Sequence, residues 1–418
     1  MPKYTDVFVP GGYPKHTYNP RVSLPLETTI SQVTENLCKL VTVTGHTKSG
    51  KTVLVRKVLP QMTSIWIDGG AISEEDDFWN IIINDLALYQ GVEDSSGTQT
   101  ATGSEVAGGV DVGSMIIKGS VSTSRTTENV SDHNRVFSRT VSAKVTALSG
   151  LRDKHVPIVV DDFHYIHKDI QGDLIRALKP LIFDGLPVVI IAIPHRRYDA
   201  VKVEKEMTGR IVPIQIPLWK NEELAYIPNQ GFMLLGQSVT NDIVNKFAVE
   251  SMGSPHLMQE FCRALCANCF SESKLDIPAS IPEDKIDNIF KNTAEAIGRP
   301  IFEKLARGPQ QRSDRIIRTL KDGSQVDIYG LTLHALAYLR PELITIEYES
   351  LRSAIKEITA QDLPQLHEVS RVLKHMSKIA ATDQSSTPVI DFDDEEKRLH
   401  ITDPFFAFYL RWGTLNMT

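Results

Sequence analysis

The stretch that decides the fold reads Leu40-Val41-Thr42-Val43-Thr44-Gly45-His46-Thr47-Lys48-Ser49-Gly50-Lys51-Thr52-Val53. An apolar, β-prone run gives way to G-x-x-x-x-G-K-T and then to a helical pattern, the strand–loop–helix context a phosphate loop requires. Glycines let the backbone curl until successive N–H groups converge on phosphate oxygens, and the following helix turns its positive end toward them. Across Gly45, His46, Thr47, Lys48, Ser49, Gly50, Lys51, Thr52 and Val53 the expected ligand is therefore a nucleoside triphosphate. Lys51 reaches the β- and γ-phosphates, and Thr52 offers its hydroxyl to Mg²⁺. The chain has no N-K-x-D sequence of the guanine-reading kind, which favours ATP over GTP.

A second element answers the first. Val156-Pro157-Ile158-Val159-Val160-Asp161-Asp162-Phe163-His164 is an apolar run into two acids, about 110 residues after the loop. A strand buried on both faces delivers its last side chains at the C-terminal edge of a parallel sheet, where phosphates sit. In this Walker B form Asp161 holds Mg²⁺, mainly through water, and Asp162 orients or deprotonates the attacking water. Two further strands are expected at Pro187–Ile193 and Ile211–Ile216. The first runs into Pro194-His195-Arg196-Arg197, so Arg196 or Arg197 can face the γ-phosphate. Arg210, just before the second, either completes a neighbouring subunit's site as an arginine finger or anchors the last strand. A surface salt bridge explains each of these arginines equally well.

The 418 residues fit two or three domains better than one. With 41% apolar and 23% charged residues the composition is globular. No apolar run of roughly 18 residues is present to span a bilayer, and the N-terminus has no basic-then-apolar signal, so the expected location is the cytosol without membrane contact. A formal charge of −7 argues against a surface built to coat nucleic acid. One local basic patch exists at 299–321 (Arg299, Lys304, Arg307, Arg312, Arg315, Arg318, Lys321), and it reads first as a solvated helix face or subunit contact. Of four cysteines, Cys262, Cys266 and Cys269 recur at helical spacing on one face. Three thiolates in line on one helix cannot enclose a tetrahedral zinc, and buried small apolar residues are the simpler reading.

Residues 1–25 read as an extended entry segment. A helix is expected from Leu26 to Leu40, another from Glu74 to Gln90, and a third from about Asn134 to Leu151. Between the last two, 91–131 shifts to Gly, Ser and Thr and reads as a mobile insertion, with one alternating piece at 110–117. Residues 26–218 thus form the nucleotide core. Residues 219–290 read as a helical lid, in which Gly253-Ser254-Pro255-His256-Leu257 opens a long helix. That turn can bring backbone and proline ring against an adenine, and it is equally a good helix start. From 291 to 418 come helices at Tyr329–Tyr338, Tyr348–Ile358 and Leu363–Ala380, then a hairpin over Pro388–Ile401, the sequence pattern of a winged helix. Its third helix has a mild cationic face of Arg371, Lys374, His375 and Lys378.

Taken in order, GHTKSGKT, IVVDDFH, VVIIAIPHRR, the Gly209-Arg210 pair, GSPHL and the C-terminal LHITDPFFAFYLRW resemble the AAA+/STAND branch of P-loop ATPases, in particular prokaryotic ATPases that end in a winged helix with a D-P-F-F segment. The resemblance implies an α/β core with a five-stranded parallel sheet of order 5-1-4-3-2, a helical lid, and a winged helix able to clamp or release the nucleotide. It implies an oligomeric ATPase with slow, switch-like turnover, since Asp162 stands where many AAA+ members have Glu. By the same likeness Pro255 lines the adenine pocket, and His256 takes the place of a lid arginine, a weaker phosphate sensor when neutral. Pro194 and His195 stand where related switches carry hydroxyls. Relatives of this kind act in antiphage defence or on mobile DNA, so an effector encoded nearby is an expected partner. The alternative expectation is a DNA-dependent ATPase of the origin-initiator or transposition-regulator type, with the winged helix and the 299–321 patch on the duplex.

Overall fold

The computed structural model describes residues 2–35, 37–88, 91–96, 133–138, 142–193, 207, 209–271, 274–278, 280–310, 315–360, 363–381 and 388–415. Its centre is a five-stranded, all-parallel sheet of β1 (Leu40–Gly45), β2 (Ile65–Asp68), β5 (Ile158–Asp161), β6 (Val188–Ala192) and β7 (Ile211–Ile216), in the order β2-β5-β6-β1-β7. Counting only these five, that is 5-1-4-3-2, the order expected above. The remaining pair, β3 (Gly91–Ser96) and β4 (His133–Ser138), is antiparallel and stands apart from the sheet.

All six residues of β1 are buried, because β6 and β7 flank it and helices cover both faces. The period of two along each strand sorts side chains between two cores. Val41, Val43, Val159, Val189, Ile191 and Ile214 pack with α2 (Leu26–Ser31) and α3 (Lys51–Val58). Leu40, Ile65, Ile67, Ile158, Val160, Val188 and Ile190 pack on the other side with α4 (Glu75–Asp85), α5 (Ala143–Lys154) and α6 (Lys168–Phe183).

Three expected helices are shorter than their apolar periodicity implied. α2 stops at Ser31 and passes through a 3-10 turn, Gln32–Thr34, since Leu40 is already a strand residue whose N–H donates to Arg210 O. α4 ends at Asp85, and Ala87 turns left-handed at φ 50°. Asn134 to Ser138 belong to β4 rather than to a helix, and α5 begins only at Ala143, capped by the Ser142 hydroxyl. The start of the insertion thus pairs, as β3, with β4 just beyond its expected end at 131, while its alternating piece at 110–117 lies outside the described residues.

The entry segment is docked rather than free. It opens with the single turn α1 (Tyr4–Val7), and Val7 and Phe8 are fully buried, Phe8 against Phe232 at 5.0 Å between ring centroids. Beyond the sheet come α7 (Asn221–Leu234), α8 (Asn241–Glu250), α9 (Pro255–Asn268) and α10 (Glu283–Arg307). The expected division at 290/291 falls inside α10. Then follow α11 (Ile328–Tyr338), β8 (Thr345–Glu347), α12 (Tyr348–Ile358), α13 (Leu366–Ala381), the antiparallel pair β9 (Ile390–Asp393) and β10 (Arg398–Ile401), and α14 (Pro404–Trp412). The strand β8 joins the hairpin as a third member, in the order β8-β10-β9. One continuous apolar cluster runs from Val7 and Phe8 through α7–α10 to α14, and Cys262 and Cys266 are buried within it. Burial pushes the Cys266 thiol up to about 12, as befits an inert core sulfur. Among the described residues no helix is long and apolar enough to cross a membrane.

The 299–321 cations are largely engaged. Arg299 pairs with Glu295 and Glu303, Arg307 with Glu303, Arg315 with Asp327, Arg318 with Glu368 and Lys321 with Glu357, whereas Arg312 lies outside the described residues.

Helices α10 and α14 cross at Gly298, where a methyl group would overlap Tyr409 Cβ. Alanine gains about 1 kcal/mol of helix propensity over glycine. Overpacking against a rigid neighbour costs about 1–3 kcal/mol, and here the obstacle is close to backbone. Gly298→Ala is therefore expected to lower stability by about 1–2 kcal/mol. Urea denaturation checks it: the midpoint falls while the slope stays unchanged.

Candidate functional site

The loop from Gly45 to Thr52 sits where β1 ends and α3 begins. Gly50 takes φ +90°, a left-handed turn open to glycine at no steric cost, and it caps α3 so that the helix starts at Lys51. The Lys51 ammonium folds back to donate to the carbonyls of Gly45 and His46, both at 2.9 Å. It is only 8% exposed, and burial brings its pKa down to about 8 even though Asp162 and Asp161 pull the other way. Thr47 Oγ1 and Ser49 Oγ are buried and have no partner among the described residues.

Facing the loop, β5 delivers Asp161 and Asp162. The Asp161 carboxylate accepts from the Thr52 hydroxyl and from the Asp162 N–H, the latter at 3.0 Å. Burial raises its pKa nonetheless. Asp162 turns left-handed at φ 50°. Its pKa is pushed up to about 6, first by burial and then by Asp161, against the pull of Lys51. A carboxylate poised there suits a general base near neutral pH. His164 follows, buried, with Nδ1 4.0 Å from Asp162 Oδ1.

A cavity of about 510 Å³ opens beside this edge, within the usual range for ligand sites. Residues 47–54, Asp162, Pro255 and His256 line it. The loop and the twin acids that the sequence placed together are therefore brought together. Pro255 starts α9 behind Ser254, whose hydroxyl caps the helix and lies 3.4 Å from Lys48 O. His256 stacks edge-on against Phe405 at 4.9 Å and lies 3.5 Å from Glu260.

Arg210 is not brought in. It precedes β7, at the N-terminal edge of the sheet, whereas the phosphate loop is at the C-terminal edge; its guanidinium lies 5.3 Å over the exposed Phe183 ring. The sheet thus separates Arg210 from the phosphate loop. Arg196, Arg197, Pro194 and His195 lie outside the described residues.

Several site residues escaped the sequence. The entry segment walls the cavity with Val9, Gly11, Pro14, Tyr18 and Asn19, pinned by Gln259, which accepts from Val9 N at 3.1 Å and donates to Thr17 Oγ1 at 2.7 Å. The C-terminal D-P-F-F segment closes another side. Asp403 caps α14 by accepting from the N–H groups of Phe405 and Phe406, and the Phe405 ring lies 5.5 Å from Lys48 Nζ. Asp68, in register with Asp161 at the end of β2, adds a third carboxylate whose charge helps raise both acids. Trp219 donates from Nε1 to Ser49 O at 2.9 Å. An acid ending the strand beside a Walker B was readable; the approach of the chain ends was not.

These residues fit a triphosphate and a divalent metal: the orphaned hydroxyls of Thr47 and Ser49 lie in the loop, and the Thr52–Asp161 pair is a hard oxygen set.

The acids carry a stability signature. Asp162 titrates about 6 in the folded chain against 3.8 ordinarily, so its ionisation opposes folding. Stability held below the lower value is lost as pH rises through the upper one. Without nucleotide, Asp162→Asn should raise the thermal midpoint at pH 7.5 and leave it unchanged at pH 4. Equal midpoints at pH 7.5 would contradict the assignment.

No family model matches the chain, and no curated protein matches its sequence. Solved structures do match. A Walker-type ATPase of Pyrococcus abyssi superposes with a TM-score of 0.52 at 13% identity, over 94% of this chain and 97% of that one. The Aeropyrum pernix ORC2 protein, in its ADPNP–ADP complexes, gives 0.51 at 12% identity, over 95% and 94%. The likeness is one of fold: the chain has a five-stranded parallel α/β core of the kind found in AAA+ P-loop ATPases.

Proposed function

We propose that the chain is an ATP-binding and ATP-hydrolysing switch of the AAA+/STAND type that works as a homo-oligomer in the cytoplasm. The observation that carries this reading is the meeting of Lys51, Thr52, Asp161 and Asp162 at one sheet edge beside a cavity of ligand size. Mg²⁺, when bound, would be held by Thr52 and Asp161 and would supply charge stabilisation at phosphate oxygens. The Lys51 ammonium would exchange its two loop carbonyls for phosphate oxygens. An Asp162 carboxylate oxygen would take the proton of the attacking water. The entry segment, Pro255 and Ile227 would enclose the base, and Phe405 and His256 would close the site from the C-terminal side.

We place Arg210 in trans. Cyclic assembly sets unlike faces of neighbouring copies together, so the edge bearing Arg210 and the exposed Phe183 can meet the pocket of the next copy. α11 to α13 with the three-stranded sheet would form the winged helix. Regulation of an effector encoded nearby, in antiphage defence, is what the family resemblance adds to this reading.

The second reading, a DNA-dependent ATPase, draws on the exposed Arg371, Lys374 and Lys378 of α13 and on the fold shared with the ORC2 protein. Carboxylates weigh against it. Lys374 pairs with Asp394 at 2.7 Å, and the hairpin's own tip carries Asp393, Asp394, Glu395 and Glu396. A duplex-binding surface would lose affinity steeply with salt, and a flat salt response would count for the first reading.

Purified Lys51→Ala should fail to bind ATP, while Asp162→Asn should bind it and release no phosphate; unchanged phosphate release in both would sink the ATPase assignment. For the arginine, Arg210→Ala should bind ATP normally and turn over at least about tenfold more slowly. Mixing Arg210→Ala with Lys51→Ala should restore part of the lost rate, since mixed interfaces then contain one intact site. No recovery in mixtures that do assemble would refute action in trans.

A further inference from the structure

We infer that Trp219 is a positioning residue of the phosphate loop, held in place by Arg21 and Glu223. This rests on the nucleotide reading above and deepens it.

Trp219 lies in the short link between β7 and α7, and its ring lines the cavity. Its indole N–H donates to the carbonyl of Ser49. None of the described peptide bonds is cis, so that carbonyl and the N–H of Gly50 lie in one rigid plane and point in opposite directions within it. By gripping the carbonyl, the indole fixes where the Gly50 N–H points, namely away from the indole. Orientation of amides is what a phosphate loop supplies, because an anion is bound by the convergence of several N–H dipoles rather than by any one of them. Gly50 is the residue most in need of such a grip, being a left-handed glycine with the widest backbone freedom in the loop.

The indole is itself held from three sides. Its backbone N–H donates to Gly253 O at 3.3 Å. Arg21 lies 5.0 Å over its ring. Arg21 is 5% exposed, and its guanidinium donates to both Glu223 oxygens at 3.0 and 2.8 Å and to the carbonyls of Pro217 and Leu218 at 3.0 and 3.2 Å. Those two carbonyls belong to the residues immediately before Trp219, so the arginine fixes the backbone that carries the indole as well as the ring. Arg21 is a cation lining a phosphate site, yet these four bonds occupy its fork. Its geometry is that of a brace rather than of a phosphate ligand. The entry segment thereby reaches the loop through a single stack: Glu223, Arg21, Trp219, Ser49.

Trp219→Phe removes the donor and keeps a ring under Arg21. The Kd for ATP and for ADP, measured by calorimetry, should rise together about fivefold, the effect of one weakened hydrogen bond to a charged partner. The ratio of the two Kd values should stay as in wild type, since the grip orients amides that ATP and ADP both meet. Arg21→Lys, which keeps the charge and loses the fork, should shift both Kd values in the same direction. An unchanged Kd in Trp219→Phe overturns the inference, as does a rise in Kd for one nucleotide only, which would mark the ring as a ligand contact rather than a brace of the loop. If wild type itself bound no ATP, or Lys51→Ala bound it equally well, the nucleotide reading would fall first. Wild-type binding lost in Lys51→Ala but kept in full by Trp219→Phe would remove only this step.

Discussion

The desolvation of Lys51 beside Asp161 and Asp162 is the constraint on which the rest of the structure depends. An ammonium and two carboxylates at one buried sheet edge each lose hydration, and their mutual attraction returns only part of it. The directions of the shifts express this: Lys51 is drawn down and both acids are pushed up, with burial the first cause in every case. The site is thus preorganised for a polyanion and its counter-cation at the expense of the fold. Two helix-covered sheet faces and the long apolar cluster through α7–α14 supply the stability that offsets it.

The sheet delivers these groups because parallel strands end on one side. β1 hands over its last residue to the loop, while β5, one strand removed across β6, ends in the acids. The same rule excludes Arg210, which enters β7 from the opposite edge. A single topological fact thereby sets the loop and the acids at one edge of the sheet and Arg210 at the other.

Much of this was legible beforehand. The five core strands and the meeting of loop and acids follow from motifs whose chemistry demands a particular sheet edge, while the strand order came with the family resemblance those motifs carry. Helix ends were not, since apolar periodicity continues through residues such as Leu40 that the sheet claims, and Ala87 leaves the helix by a left-handed turn that no composition signals. Residues 134–138 read as helix by pattern yet pair with 91–96, because a hairpin stem is fixed by a partner about 40 residues away in sequence. The cationic run at 299–321 looked like a patch until Glu303, Asp327, Glu357 and Glu368 took up its charges.

The pocket's remaining walls were invisible for a different reason. Arg21, Gln259 and Phe405 have no motif of their own, and each matters through a residue 170 or more positions away: Arg21 through Glu223, Gln259 through Val9 and Thr17, Phe405 through Lys48. α14 adds a second tie, since Arg411 and Trp412 both reach Glu250, at 3.2 and 2.7 Å, just before the turn whose Ser254 hydroxyl lies against Lys48 O. Both ends of the described chain are consequently bound to the phosphate loop, one through Trp219 and the other through Phe405 and Glu250. The entry segment and α14 are thus both joined by direct contacts to the loop's surroundings, the path along which the switch proposed above would act.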